Sequence, residues 1–280
     1  EWRENSFTIC KPISADTPVS YTAIHDLNIA PATASLIPRS QSARHARDDS
    51  KLHVLLLYGG CDTPTNLAAY LRDAGCKVTV YDTAVSSRCD LSTDLVQAEA
   101  LDLIPHVDFV FMCPPCKTAS IAFVPPLRYL LEPWGVTGLA ADLQKLVDDA
   151  NVHYRFCIAA IATCRTYHVR FALESAASRR YGPGRCPWPR FAGNGFVWDL
   201  PGIAGLSHSR YFCFAQCAFG APYQKYTGLL VDDLSAPTFD RIFAHAQCNC
   251  ISHRTRLQGY DEAGVSRTSK AEAYVPRLAD

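Results

Sequence analysis

The sequence predicts a doubly wound α/β sheet, and three features predict it. Strand-like and helix-like segments alternate from residue 51 to residue 115. The strand-like runs are short, and the first is continuously apolar, which fits a buried parallel strand. Each run ends abruptly, at a glycine pair, an aspartate or a proline pair. The first, His53 to Tyr58, stops at Gly59-Gly60. Thr65 to Ala74 then has helical spacing, with Leu67, Tyr70 and Leu71 on one face. Lys77 to Tyr81 is a second strand ending at Asp82, Asp94 to Leu103 a second helix, and His106 to Met112 a third strand ending at Pro114-Pro115. Ala140 to Cys164 reads as a long helix and Tyr167 to Leu173 as a strand closed by Glu174. Arg210 to Cys217 and Lys225 to Val231 are two further strands separated by Gly220-Ala221-Pro222.

The chain has 280 residues and a mass of 30.8 kDa, 48% apolar and 19% charged, so it buries a core without staples. No apolar run approaches the roughly 18 residues of a membrane helix, and a soluble protein without a membrane partner is expected. Lysine plus arginine and aspartate plus glutamate each number 27, so only local charge is informative. The 13 cysteines are odd in number, and Cys157 and Cys213 sit in apolar runs. That pattern fits a reducing intracellular compartment, the nucleus in a eukaryote. The polar start at Glu1 reads as a monomeric fragment or a domain of a longer parent chain. Residues 1–50, rich in Ser, Thr, Ala and Pro, read as a flexible arm, 51–264 as the folded domain and 265–280 as a tail. Residues 51–150 carry 7 basic and 12 acidic side chains, whereas 151–210 carry 8 arginines against Glu174 and Asp199. The stretch 151–210 therefore reads as an arginine-rich, insertion-like region.

Candidate chemistry collects where strands end, because ligands of such sheets sit beyond the carboxyl ends of the strands. Tyr58-Gly59-Gly60 would bring backbone close to a ligand, although a plain tight turn explains it equally. Asp82 stands where nucleoside binders put an acid for ribose hydroxyls, and Asp90 could accept from an adenine amino group. In the segment Cys113-Pro114-Pro115-Cys116 the prolines fix the backbone and aim the second thiol at the crevice as a nucleophile. A zinc half-site and a redox pair are the alternatives, both disfavoured by the intervening prolines. Glu174 brings a carboxylate to the same sheet edge. A thiol beside an acid is what adding to cytosine carbon 6 while protonating ring nitrogen 3 requires. Farther on, Cys248, Cys250 and His253 lie close together with Cys213 or Cys217 nearby in sequence. Three close ligands are one short of a zinc tetrad, so no metal is expected, with zinc there as the alternative.

These residues resemble the DNA (cytosine-5) methyltransferases, and more closely their compact phage- and retroelement-type members, over residues 52 to about 260. Leu57-Tyr58-Gly59-Gly60-Cys61-Asp62 is similar to their adenosylmethionine loop, and Pro114-Pro115-Cys116 to their nucleophile motif. Pro125-Pro126-Leu127-Arg128, Trp134 to Leu139, Asn151, Glu174-Ser175-Ala176, Val197 to Pro201 and Gln216 to Thr227 follow in the order of that family. The resemblance implies a class I S-adenosylmethionine-dependent methyltransferase (Rossmann-like) sheet with helices on both faces, ending in an antiparallel hairpin over about 210 to 231. It further implies cofactor contacts at Tyr58, Gly59, Gly60, Asp82, Asp90 and Pro114, and catalysis by Cys116 and Glu174, with Arg128 or Lys225 helping to hold the flipped base or its phosphates. DNA, with RNA as an alternative, would meet Arg179, Arg180, Arg185 and Arg190. The sequence departs from the family pattern at Lys117, Ala119, Ser175 and Ala176, around the nucleophile and the acid. A cofactor- or nucleic-acid-binding module without activity is the alternative these departures raise. An amino-group methyltransferase is disfavoured because Cys113-Pro114-Pro115-Cys116 lacks its polar and aromatic members.

Overall fold

The computed structural model describes residues 51–60, 66–121, 123–178, 193–243, 246–255, 257 and 262. The expected arm at 1–50, the tail at 265–280 and the residues Cys61, Asp62, Arg179, Arg180, Arg185 and Arg190 lie outside them. Six strands form one sheet: β1 His53–Leu57, β2 Lys77–Tyr81, β3 Phe109–Met112, β4 Arg170–Ala176, β5 Ser209–Ala215 and β6 Tyr226–Asp232. Their spatial order is β2-β1-β3-β4-β6-β5. β1 pairs in parallel with β2 and β3, and β3 with β4, whereas β6 runs antiparallel between β4 and β5. The strand order reverses at β1, so the crevice of the sheet opens beside the carboxyl ends of β1 and β3.

Helices cover both faces. The helices are α1 Leu67–Asp73, α2 Asp94–Leu103, α3 Ala141–Tyr167 and α4 Ala236–Phe243. Alternate residues of each strand face opposite sides. Leu55, Leu57, Val110, Met112, Phe171 and Leu173 pack with α2 and α3 in the main core. Val54 and Leu56 face α1, and Ala172, Leu229 and Val231 face α4, which adds Phe239 and Phe243. Between α1 and α4 the sheet borders an apolar cavity of about 330 Å³. Asn66 caps α1 by accepting from the Ala69 amide at 2.9 Å, and His168, in the left-handed region at φ 55°, ends α3.

Several expectations shift. The third strand begins at Phe109 because a 3-10 turn over Ile104–His106 occupies the residues before it. The long helix runs three residues beyond Cys164, and the fourth strand begins at Arg170. That strand continues through Ala176, so Glu174 lies inside it rather than at its end. The insertion-like reading of 151–210 does not hold for 151–178, which supply most of α3 and all of β4, central to the sheet. Helix α4 was absent from the sequence reading.

Candidate active site

Cys116, Glu174 and Lys225 converge although 109 residues of chain separate the first from the last. The sheet explains it. Cys116 follows β3 at its carboxyl end, Glu174 sits two residues from the carboxyl end of the neighbouring β4, and antiparallel β6 begins at that same edge. Ala176 pairs with Thr227, so Lys225 stands at that edge just before β6 starts, near enough to Glu174 for the two charges to act on each other. Burial pushes the Cys116 thiol above its ordinary value; Lys225 opposes that shift and Glu174 adds to it. The Ala176 amide is directed at the thiol and favours its ionised form. For Lys225, burial is the largest single influence and pulls the ammonium down, but Glu174 and then Cys116 outweigh it and raise it overall. The resting arrangement is a protonated thiol beside a firmly charged lysine and a carboxyl group that is only 7% exposed.

The nucleophile loop is held from behind. Arg128, only 1% exposed, spends all five of its N–H groups internally. Nε and Nη2 donate to Thr118 Oγ1 at 3.3 and 3.0 Å, Nη1 to the Pro133 carbonyl at 2.9 Å and Asn151 Oδ1 at 2.8 Å, and Nη2 also to the Val147 carbonyl at 3.3 Å. No donor is left for a base or phosphate, which corrects the role expected of Arg128. It is a positioning residue. Tyr154 completes the support, donating to the Pro115 carbonyl at 2.7 Å and stacking its ring 5.0 Å from the guanidinium carbon. Asn151 donates onward to the Trp134 carbonyl at 2.7 Å. Val147, Asn151 and Tyr154 recur at helical spacing, so one face of α3 carries this network.

The altered Glu174-Ser175-Ala176 segment has its own support. Trp198 Nε1 donates to the Ala176 carbonyl at 2.7 Å, and the Ser178 amide donates to the Tyr211 hydroxyl at 2.9 Å. Trp198 and Tyr211 meet edge to face with centroids 5.0 Å apart, over Gly228 of β6. A Cβ at Gly228 would lie 2.6 Å from the Tyr211 hydroxyl and 2.7 Å from Trp198. Sequence reasoning missed Tyr154, Trp198 and Tyr211 as supports of the site.

At the other side of the crevice, Asp82 ties two turns together. Its carboxylate accepts from the Gly60 amide at 2.9 Å and the Ala84 amide at 2.8 Å. Tyr58 and Gly60 adopt left-handed φ values of 63° and 75°; for Tyr58 this is backbone strain at the end of β1. The Tyr58 hydroxyl lies 3.2 Å from Nδ1 of His153, another residue that sequence reasoning missed, and burial pulls the His153 pKa down. Asp90 accepts from the Ser92 amide, which lowers its pKa, and both Asp82 and Asp90 act electrostatically on Tyr58. Gly59 sits where a Cβ would meet Val80 at 2.9 Å, while a Cβ at Gly60 would meet nothing. Pro114 is buried behind this edge. The described residues fit an adenosyl group: the half-buried carboxylates keep lone pairs for hydroxyl or amino donors, and no described residue lies within 4 Å of a Cβ placed at Gly60.

The described arginines of 151–210 are not gathered at this edge. Arg165 lies in the last turn of α3, and Arg170 and Arg210 lie at the amino-terminal ends of β4 and β5, where Arg210 pairs with Asp240. Arg155 stacks on Trp134 instead.

A second cluster stands apart from the crevice. Ligand atoms of Cys217, Cys248, Cys250 and His253 all lie within 4.8 Å of one another. The upstream member is Cys217 and not Cys213, which is buried in the β5 core. The described cysteines are all free thiols.

Strand order, the antiparallel β6 and helices on both faces make this a mixed α/β sheet, the fold class expected from the sequence. No protein-family model matches the sequence, and no curated protein matches it. Among solved structures the chain is similar to the crystal structure of the Dnmt2 methyltransferase of S. pombe, at 12% identity and a TM-score of 0.35, over 65% of this chain and half of that one. Among the described residues no helix is long and apolar enough to cross a membrane.

Proposed function

We propose that this chain transfers a methyl group to carbon 5 of cytosine in DNA, with S-adenosylmethionine as donor. The observation that carries the reading is the convergence of Cys116, Glu174 and Lys225 at the sheet edge that also bears Asp82 and Asp90. Asp82, Asp90 and the Tyr58–Gly60 turn hold the cofactor, which supplies an electrophilic methyl group. Lys225 stabilises the Cys116 thiolate, whose Sγ bonds to ring carbon 6 and moves electron density toward carbon 5 and ring nitrogen 3. Glu174 holds a proton at nitrogen 3, and that proton keeps the ring from accumulating negative charge. After methylation the carbon-5 proton leaves, the carbon–sulfur bond breaks and the thiolate returns. Arg128 and Tyr154 keep Cys116 in register throughout, from the protein side. The nucleic acid is contacted through Arg179 and Arg180, which follow Ser178 directly in the chain, together with Arg185 and Arg190.

Trapping tests the reading. DNA containing 5-fluorocytosine cannot release the carbon-5 substituent as a proton, so incubation with S-adenosylmethionine should leave a denaturation-resistant adduct. Cys116→Ala should abolish it, Glu174→Gln should slow it at least tenfold, and Cys113→Ala should trap like the parent. Arg179→Glu with Arg180→Glu should weaken DNA binding and flatten its salt dependence. Cofactor binding without an adduct on DNA or RNA would overturn the catalytic reading in favour of a binding module.

A further inference from the structure

We propose that Cys217, Cys248, Cys250 and His253 form a structural zinc site that fastens the segment after α4 to the root of the β5–β6 connection. The four side chains converge from two stretches of chain: Cys217 from the 3-10 turn Gln216–Phe219, and the other three from 246–255, which has no regular structure. Three thiols and one imidazole are a closed donor set of the type that structural zinc sites use. Zinc–sulfur bonds of about 2.3 Å put the edges of a tetrahedron near 3.8 Å. The cluster already lies within 4.8 Å throughout, and Cys248 Sγ stands 3.4 Å from His253 Nε2. Soft thiolates with imidazole select zinc over magnesium or calcium, which want oxygen.

A second line of argument comes from what otherwise orders 246–255. Cys250 and Ile251 are exposed, and Cys217 and Cys248 touch only the margin of a small core cluster of Ala177, Cys213, Ala215 and Tyr226. At its start the segment is held by Ala246, buried in the α4 core, whose carbonyl accepts from the Ala215 amide at 2.8 Å, and by Gln247 Nε2 donating to the Cys213 carbonyl at 3.4 Å; at its end the Thr255 amide donates to the Pro222 carbonyl at 2.9 Å. A closed metal site supplies the order that so little buried apolar surface does not. A disulfide would use two of the three thiols and leave the third and the imidazole idle. On binding, each cysteine gives up its proton to solvent and the imidazole binds in its neutral form, so the site holds three thiolate charges against the two of zinc.

The same turn bears on the crevice. The Gln216 amide donates to the Lys225 carbonyl at 2.9 Å, and the Ala221 amide to the Gln216 carbonyl at 3.3 Å. Metal at Cys217 therefore fixes the base of the loop that delivers Lys225 to Glu174. The zinc site stands without the methyl-transfer reading; only this positioning consequence rests on it.

The test uses the full 280-residue chain purified under reducing conditions without chelator. Elemental analysis should find one zinc per chain. After removal of zinc, cobalt(II) should restore one equivalent with thiolate-to-cobalt charge transfer in the near ultraviolet and intense tetrahedral d–d bands. Cys217→Ser and Cys250→Ser should each lose the bound equivalent, His253→Cys should keep it, and Cys76→Ser, distant on the α1–β2 connection, should keep it too. Circular dichroism checks the fold, and exposed Cys250 covers the case in which Cys217→Ser does not fold. A folded, reduced chain that takes up neither zinc nor cobalt would overturn the site, as would a cobalt spectrum that survives Cys250→Ser or a disulfide among these cysteines in the metal-free chain. Loss of 5-fluorocytosine trapping on zinc removal would support the positioning consequence. A metal-loaded chain that never traps leaves the zinc site intact and counts only against the methyl-transfer reading.

Discussion

Replacing Arg128 by methionine keeps much of the buried volume but removes the charge and all five hydrogen bonds from a side chain that is 1% exposed. The variant strands Asn151 Oδ1 and the Pro133 carbonyl, whereas Thr118 Oγ1 keeps the Tyr154 hydroxyl at 3.4 Å and the Val147 carbonyl keeps its partner inside α3. Each buried acceptor left alone costs about 1–3 kcal/mol. Hydrogen bonds to a charged group are worth about 1.5–3 kcal/mol each net of desolvation, so losing the two whose acceptors find no other partner costs about 3–5 kcal/mol. For a domain of this size the melting temperature should fall by roughly 6–20 °C. Urea unfolding followed by circular dichroism measures the loss directly. Arg128→Lys, with three donors in place of five, should recover part of it. A cycle with Asn151→Leu should show a coupling of about 1–2 kcal/mol. A loss below about 1 kcal/mol would refute the network argument. An equally stable Arg128→Met variant with weakened nucleic-acid binding would return Arg128 to the substrate side.

Tyr154→Phe removes the 2.7 Å bond to the Pro115 carbonyl and should cost about 1–2 kcal/mol in urea unfolding while speeding alkylation of Cys116; unchanged alkylation would separate the two effects. Gly228→Ala drives a Cβ into Trp198 and Tyr211 and should cost about 1–3 kcal/mol, with tryptophan fluorescence reporting the shift. S-adenosylmethionine should raise the melting temperature, and Asp82→Asn should weaken that rise; no shift at millimolar ligand would count against the adenosyl site. Burial raises the Cys164 thiol from 9.0 to about 12. The folded chain then keeps a proton that the unfolded chain loses. This contribution is whole below pH 9 and is lost as pH rises toward 12, at about 1.4 kcal/mol per unit. Urea midpoints at pH 8.5, 9.5 and 10.5 should fall less steeply for Cys164→Ala, and identical slopes would refute the assignment.

The strands were legible for two reasons: His53–Leu57, buried along its whole length, is nearly all apolar, and the edge strand Lys77–Tyr81 carries the β-branched run Val78-Thr79-Val80. Boundaries around Tyr167 were not, since a β-rich run begins there while His168, a residue seldom found at positive φ, is what ends the helix. Cys116, Glu174 and Lys225 could be nominated from motif order, and their meeting follows from strand direction. Arg128 was nominated for the wrong side: an isolated arginine reads as a phosphate contact, and only the folded chain reveals its five internal hydrogen bonds to four acceptors. Trp198 and Tyr211 carried no local signal, because their partners, the Ala176 carbonyl and the Ser178 amide, are backbone atoms distant in sequence. Helix α4 did carry one, in Ala236, Phe239 and Phe243 at helical intervals.

The insertion of β6 between β4 and β5 also sets an order of assembly. β5 is made before β6 and, among the described strands, pairs with β6 alone, so its place in the sheet waits until residues up to Asp232 exist. Until then the edge of β4 that carries Glu174 presents open backbone, a template for pairing with another chain. Asp232 then acts as a latch, accepting from the Phe171 amide on β4 and from the Leu234 and Ser235 amides of its own turn. A chain interrupted anywhere between β4 and Asp232 would display that sticky edge during synthesis. Its self-association would mark unfinished sheets, with no bearing on how finished molecules contact one another.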